Sequence, residues 1–382
     1  WLFNDCYVEK VFNFSILRNA KKNFGGQLFG DATGPISIVF YQKEKPNKPS
    51  DKIAYYAPKT FIKTNVIDGL SIDFTDLKYL PREECQKPDT KIWKIAMWGG
   101  MNDWELIHKL SNNYSTIKIF LKKENIDYGV GFELSNPADK PNSEIKKLPI
   151  HTPNNILKYY TPTSNNRINS DKFRRLGKLE VYQKSHMLLN EGVKVDNDNL
   201  TLLASFVDYQ SAYSKGIVGV YSKNGDINLL KLLTVYFNSD FIRYYSFLTT
   251  SSWGIERDVV KHKELFEAPF ILEKHNEEEK KQTSLIQGDF DFVKAKPIES
   301  EIDEIVLQDI LHLSESDRWG IDDLINFSID LFDKKEKSIA LYPVLQEQIT
   351  EYGKIINTEL NDFLDGQDLF ANATVYNISR FT

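Results

Sequence analysis

Nine cations stand in one run of this chain: Lys146, Lys147, Lys158, Arg167, Lys172, Arg174, Arg175, Lys178 and Lys184, with only Asp171 and Glu180 as acids among them. Interleaved are Tyr159, Tyr160, Phe173 and Tyr182, and Asn154, Asn155, Asn165, Asn166 and Asn169. Lys and Arg neutralise phosphates. Arg matches the acceptor edge of guanine and Asn the edge of adenine. An aromatic ring stacks on a base drawn out of a duplex. The same composition also describes a solvated basic loop, and its aromatics serve a core equally well. Arg167, Lys172, Arg174, Arg175 and Lys178 are the first candidates for contact with duplex DNA.

A second stretch, residues 229–270, has to position a loop. Leu229, Leu230, Leu232, Leu233, Tyr236, Phe237 and Phe241 recur at three- and four-residue steps, so a helix with one broad apolar face is predicted. It breaks at Thr249-Thr250-Ser251-Ser252, where hydroxyl side chains compete for backbone partners and favour turns. Ser252, Trp253 and Arg257 join the candidate contacts, and the plainer reading is a core helix with its exit loop. Pro269 stops any regular element.

The segment LLTVYFNSDFIRYYSFLTTSSWGIER resembles the Asn-Ser, Ser-Ser-Trp-Gly stretch in the target-recognition region of large bacterial adenine-N6 DNA methyltransferases of the fused restriction–modification type (Eco57I-like, type IIG-like). Two further segments carry the resemblance. Phe14, Ser15, Leu17, Arg18, Ala32, Pro35, Ile38 and Tyr41 match the family's final catalytic strands, and Trp93, Trp98, Gly99 and Asp103 match its W-x-x-x-x-W-G-x-x-x-D junction. The resemblance implies an α+β (mixed α/β) chain. Residues 1–90 would be the β-hairpin tail of a Rossmann-like methyltransferase sheet and 91–127 a helical junction. Residues 128–272 would be a mixed target-recognition domain and 273–382 a helical C-terminal domain. It implies double-stranded DNA and the N-terminal catalytic region of the same protein as partners. S-adenosylmethionine is expected for that parent protein, with no cofactor held by this chain.

The residues support that layout element by element. Gly25, Gly26, Gly30 and Gly34 punctuate a loop, but no G-x-G-x-x-G or G-x-x-x-x-G-K-[ST] pattern makes it a phosphate cradle. Residues 36–41 predict a buried strand and 53–57 a second, paired as a hairpin at a sheet edge. Asn102 or Asp103 is placed to cap a helix carrying Trp104, Leu106, Ile107 and Leu110. Residues 128–132, Tyr-Gly-Val-Gly-Phe, predict a strand where a backbone approaches closely or the strand bends, and 217–221 predict one more. Residues 273–282 read as a charged linker. Beyond them the chain turns acidic, with helical stripes at Ile302, Ile305, Val306, Ile310 and Leu313, at Leu324, Ile325, Phe327, Ile329, Leu331 and Phe332, and at Leu345, Ile349, Tyr352, Ile355 and Ile356.

At 382 residues the chain calls for two or three cores. Hydrophobic content of 41% and charged content of 27% are those of a globular protein. A net charge of −6 excludes a uniformly basic coat but leaves room for a local basic field. Cys6 and Cys85 support neither a disulfide framework nor a cysteine zinc site. No apolar run is long enough for a membrane helix and no secretory signal is present, so a cytoplasmic location is expected. The family's Asn/Asp-Pro-Pro-Tyr/Phe loop and cofactor glycines are absent and are expected upstream of Trp1. Pro88-Asp89 with Glu144-Ile145-Lys146 makes a poor Mg²⁺ nuclease pair, and the six histidines form no zinc-hydrolase motif. No catalytic residue and no metal ligand is assigned. The alternative reading is a protein-interaction scaffold of an anti-phage assembly, with the acidic helices as its working face.

Overall fold

The computed structural model describes residues 1–15, 35–58, 60–63, 68–72, 76–134, 140–170, 172–196, 199–255, 257–270, 299–330 and 346–366. Leu17, Arg18 and Ala32, the loop glycines 25–34, Asp171, the linker 273–282, and Leu331, Phe332 and Leu345 lie outside them.

The architecture is mixed α+β. The first sheet joins β1 (Tyr7–Asn13), β2 (Ser37–Gln42), β3 (Lys52–Tyr56) and β4 (Leu77–Pro81) in the order β2-β1-β3-β4. β1 runs antiparallel to β2 and parallel to β3, so β2 and β3 are not a hairpin; β1 lies between them. Period-two patterning finds strands, but pairing between them is set by long-range register. The expectation that 36–41 is buried also fails, because β2 is an edge strand with Ile38 42%, Phe40 47% and Tyr41 52% exposed. The covered face of this sheet presents Val11, Ile53, Tyr55 and Leu80 to α1 (Lys91–Trp98).

α1 is followed by α2 (Met101–Asn113) and α3 (Ile117–Lys123). Asp103 caps α2 from its first turn: the Gly100 N–H donates to its carboxylate at 2.6 Å. Asn102 is not the cap. The Tyr244 hydroxyl donates to the other Asp103 oxygen at 2.8 Å, tying α2 to a helix more than a hundred residues away.

The second sheet comprises β5 (Ile126–Val130), β6 (Tyr159–Tyr160), β7 (His186–Asn190), β8 (Ala204–Val207) and β9 (Ile217–Ser222), in the order β6-β8-β7-β9-β5. Its central strands are buried on both faces. Met187, Leu189, Ala204, Phe206 and Val220 face one apolar cluster, and Leu188, Val207, Ile217 and Tyr221 face the other, as strand alternation requires. α4 (Ile227–Phe237) covers the first face.

The predicted long helix is two. α4 ends at Asn238, and α5 (Asp240–Thr249) restarts with the Ser239 side chain as its N-cap. The Asn238 amide spans the break, accepting from Ala204 N at 3.1 Å and donating to Ala204 O at 2.7 Å, so it docks the helix pair on β8. Burial also exceeds a single face, since Thr234, Arg243 and Ser246 are buried too. α5 stops where predicted: the hydroxyls of Thr249 and Thr250 donate back to the carbonyls of Tyr245 and Ser246 at 2.6 and 2.7 Å. Lys94 of α1 donates to the carbonyl of Thr250, completing this C-terminus, and burial lowers its ammonium to about 7.

The acidic segment packs on the same core. Ile302, Ile305, Val306, Ile310 and Leu313 are buried as their spacing predicts, and so are Leu324, Ile325 and Ile329. Residues Ile305–Ile310 and Ile325–Ile329 are π-helical, on either side of α6 (Glu315–Leu324). Buried Arg243 pairs with Asp330, Asp303 accepts from Asp240 N at 2.8 Å, and Lys109 meets Asp317 at 3.0 Å. α7 (Gln346–Gly366) follows, and its expected stripe breaks at Ile355, which is 44% exposed. No helix among the described residues is long and apolar enough to cross a membrane.

Candidate nucleic-acid interface

The basic run wraps the second face of the second sheet. Its aromatics anchor it: Phe173 and Tyr182 are buried in the cluster with Leu188, Val207 and Tyr213. Phe173 meets Phe132 edge-on at 5.7 Å, and Tyr182 meets Tyr213 at 4.9 Å. Tyr159 is 1% exposed on β6. Tyr160 is half-buried and donates to Asp208 at 3.2 Å. These rings are core, and three of the four have no open face for a base.

With its rings inside, the run turns its cations outward along β5, the edge strand. The segment Arg174–Lys178 crosses β5 where side chains are missing. A Cβ on Gly129 would lie 2.4 Å from Lys178 Cβ, and one on Gly177 would lie 2.6 Å from Val130 O. A Cβ on Gly131 would lie 2.3 Å from Ser214 O and 2.4 Å from Tyr213 O. The glycines of the Tyr-Gly-Val-Gly-Phe strand thus permit the close backbone approach that the sequence implies. Gly131→Ala is expected to cost about 2 kcal/mol in a denaturant melt, because main-chain oxygens have to move to admit the methyl. An unchanged midpoint would show that the approach is looser than it looks.

Two carboxylates organise the cations. Glu133 lies 2.9 Å from Lys215 Nζ, 3.6 Å from Arg174 Nη1 and 3.8 Å from Arg175 Nη2. The backbone reinforces the arrangement, with Arg174 N donating to Glu133 O and Glu133 N to Arg175 O, both at 2.9 Å. Asp127 pairs with Lys178 and, at 3.0 Å, with Lys223. Burial acts to raise the Asp127 carboxyl, but the hydrogen bonds from Lys178 and Lys223 outweigh it and hold the group at about 2. Glu133 is lowered by its hydrogen bond from Lys215 and by the two arginines. Five cations therefore converge on two carboxylates that stay ionised. Positions 127 and 133 are six residues apart on extended chain, which makes a strip about 20 Å long, the axial rise of about six base pairs.

Of the candidates read from the sequence, the strip contains Arg174, Arg175 and Lys178; Lys215, Lys223 and both carboxylates were not among them. Lys172 is exposed one residue before Phe173, in a two-residue strand paired with Lys140–Pro141. Arg167 is exposed, but its guanidinium turns back on its own loop, donating to Ser164 O at 2.8 Å and Asn166 O at 2.9 Å. Asn154 and Asn155 spend their side-chain oxygens on Lys194 and on Thr152 N.

The Ser-Ser-Trp-Gly loop divides. Trp253 is fully buried, edge-on to Phe247 at 5.4 Å, and as placed it touches core rather than a ligand. Ser252 is partly exposed, and its carbonyl accepts from Ile255 N and Arg257 N at 3.1 Å each. Arg257 is exposed. The chain just after it bonds to the end of β7, with Val193 N donating to Asp258 O at 2.9 Å and Val260 N to Glu191 O at 2.7 Å. Glu191 N donates to Gly216 O at 2.9 Å, and Gly131 N to Ile217 O at 3.0 Å. This ladder brings Arg257 to the same end of the sheet as Lys215 and Glu133.

Among the described residues no group of three or more His, Cys, Asp or Glu is arranged to hold a metal ion. The His186–Ser211 pair, at 3.0 Å, has the distance of a nucleophile and base, but both residues are fully buried and His186 Nδ1 is bound to Lys184 O at 2.6 Å. It is a core hydrogen bond.

No protein-family model matches the sequence, and no curated protein does. Among solved structures, the chain is similar to the type IIG restriction endonuclease BpuSI over 88% of its own length, at 12% identity and a TM-score of 0.37. It spans 45% of that structure's length. A likeness at this level carries no argument about fold or function.

Proposed function

We propose that this chain is the DNA-gripping, sequence-choosing portion of an S-adenosylmethionine-dependent adenine-N6 DNA methyltransferase of the fused restriction–modification type. The observation that carries the reading is the strip on β5, where Arg174, Arg175, Lys178, Lys215 and Lys223 are held at fixed positions by Glu133 and Asp127. Such a strip meets a phosphate backbone, which positions the protein, while Arg side chains at its margin read base edges. Arg257, Lys172 and Arg167 are further candidate contacts. The family resemblance at residues 14–41, 93–103 and 232–257 supplies the rest. Residues 1–90 belong to the tail of the catalytic domain, 91–127 to the junction, 128–272 to target recognition and 273–382 to a helical domain. The N-terminal catalytic region of the same protein holds S-adenosylmethionine and transfers its methyl group. This chain's residues bind and orient the duplex, and no step of methyl transfer is assigned to them.

The test is duplex selection from a randomised pool at two salt concentrations, followed by Arg174→Ala with Arg175→Ala. Loss of two phosphate contacts is expected to weaken binding at low salt and to reduce the slope of log affinity against log salt by about 2. Equal affinity and equal slope in the double variant would remove the strip from the interface. Absence of any salt-sensitive duplex binding by the wild type would favour the scaffold reading.

A further inference from the structure

Two charged side chains that duplex recognition leaves unused grip the two ends of one peptide group. Lys94 of α1 is 7% exposed, and its ammonium donates to Thr250 O. Glu264, on the helical turn His262–Leu265, accepts from Ser251 N at 2.8 Å. The carbonyl of Thr250 and the N–H of Ser251 share one rigid peptide plane. Its dipole therefore runs with the oxygen at the cation and the hydrogen at the carboxylate, which is the favourable sense. A flip of that plane would turn the oxygen toward Glu264. The two charges do not pair with each other, because the peptide stands between them. Glu264 Oε2 is enclosed and has no hydrogen-bond partner among the described residues. An enclosed oxygen without a donor is costly, so the peptide is held at the expense of a direct ion pair.

This peptide is where α5 ends and the Ser-Ser-Trp-Gly loop begins. Ser252 O, next along, accepts from Ile255 N and Arg257 N, so the orientation of the turn carries through to Arg257. α1 meets the loop again at Gly254, where a Cβ would lie 3.1 Å from Trp98 Nε1. Burial lowers Lys94 to about 7, and Glu264 acts to raise it. The charged groups on the other elements around α1 have partners of their own. Lys78 of β4 donates to Ala96 O and Gly99 O, Asp103 of α2 accepts from Gly100 N and Tyr244, and Arg243 of α5 pairs with Asp330. Arg82 donates to Val8 O and Ser50 O, and Glu84 pairs with Lys87. Glu264 is the charge to which Lys94 responds.

We infer that Lys94 and Glu264 form a proton-controlled catch on the Thr250–Ser251 peptide, fixing the loop to α1 while Lys94 is charged and loosening it when the proton leaves. A charge-assisted hydrogen bond is roughly twice as strong as a neutral one, so loss of the proton weakens the grip on the carbonyl. It also removes a cation from the C-terminus of α5, where positive charge is favourable. Lys94 and Glu264 are thus positioning residues for the loop. Where the loop meets duplex, as proposed above, the catch makes its placement depend on pH. The catch itself stands without that reading.

Hydrogen exchange of the full chain tests the catch, read by mass spectrometry from pH 6 to 8.5 and corrected for the intrinsic pH dependence of exchange. In the wild type the protection of peptides spanning 250–257 is expected to fall roughly tenfold across this range, the difference between a charged and a neutral hydrogen bond. The strand at 217–221 should keep its protection. Lys94→Met should show low protection of the loop throughout, with no step. Glu264→Gln keeps an acceptor for Ser251 N but removes the charge that raises Lys94, so its step should move to lower pH. A purely structural role for Glu264 would leave the step in place, and this variant decides the matter if Lys94→Met does not fold. Constant loop protection in the wild type, the same step in Lys94→Met, or an unmoved step in Glu264→Gln would each overturn the catch.

Discussion

Trp253→Ala is expected to lower stability by about 3–5 kcal/mol, a large part of what a domain has. The side chain is 0% exposed and is among the largest that are fully enclosed. It sits against Phe247 of α5. Truncation to alanine leaves a cavity among these rings, which puts the cost at the upper end of large-to-small substitutions. Trp253→Phe separates packing from recognition. Among the described residues the Trp253 indole N–H has no hydrogen-bond partner, so phenylalanine removes an unsatisfied donor along with some volume and should restore most of the stability. A folded Trp253→Phe protein is expected to bind duplex as the wild type does. If it melts normally but loses duplex, Trp253 reaches DNA through a rearrangement and its place in the core is a resting state.

The second large effect is acid lability above the carboxylate range. His151 and His186 are both 0% exposed, and burial pushes each down to about 4 from the ordinary 6.5. Tyr209 Oη stands 3.1 Å from His151 Nε2 and donates to Thr161 O at 2.6 Å, while Ser211 Oγ lies 3.0 Å from His186 Nε2. The bond to Lys184 O acts to raise His186, and the neighbouring His151 lowers it. Both rings are neutral in the fold and take up a proton on unfolding. Their contribution is intact above pH 6.5 and is lost as pH falls from 6.5 toward 4. Each ring accounts for about 3 kcal/mol at the acid limit, and the pair for a slope of about 2.7 kcal/mol per pH unit within the window. Asp127 and Glu191, both held at about 2, add losses only below the ordinary carboxylate pKa. Urea melts across pH 7.5 to 4.5 check this, with His151→Gln and His186→Gln combined as the control. The variant should be weaker at pH 7.5 yet flatter with pH. An identical slope in both proteins would place the acid sensitivity elsewhere.

Much of the architecture was legible in the order of residues. The helix stop at Thr249–Ser252, the strand at 217–221 and the buried stripes at 302–313 follow from local periodicity and from hydroxyls that compete for backbone partners. The glycines at 129 and 131 signalled a close backbone approach, because only the missing side chain permits one. The basic run at 146–184 announced a cationic surface, since charge that cannot be buried has to face outward.

What the sequence left open is what depends on contacts between distant residues. Phe173 and Tyr182 read equally well as stacking rings or as core, and Trp253 as a DNA contact or part of a core helix's exit loop; enclosure by Phe132, Tyr213 and Phe247 decides for core. Lys215 and Lys223 lie outside the basic run and join it only because β9 pairs with β5, bringing them to Glu133 and Asp127. β2 carries the apolar pattern of a buried strand, yet β1 takes the place beside β3 and leaves β2 at the edge. A residue's type and spacing determine which interactions it is able to make. Which side is water and which is protein is fixed by long-range pairing, and that is a property of the folded chain as a whole.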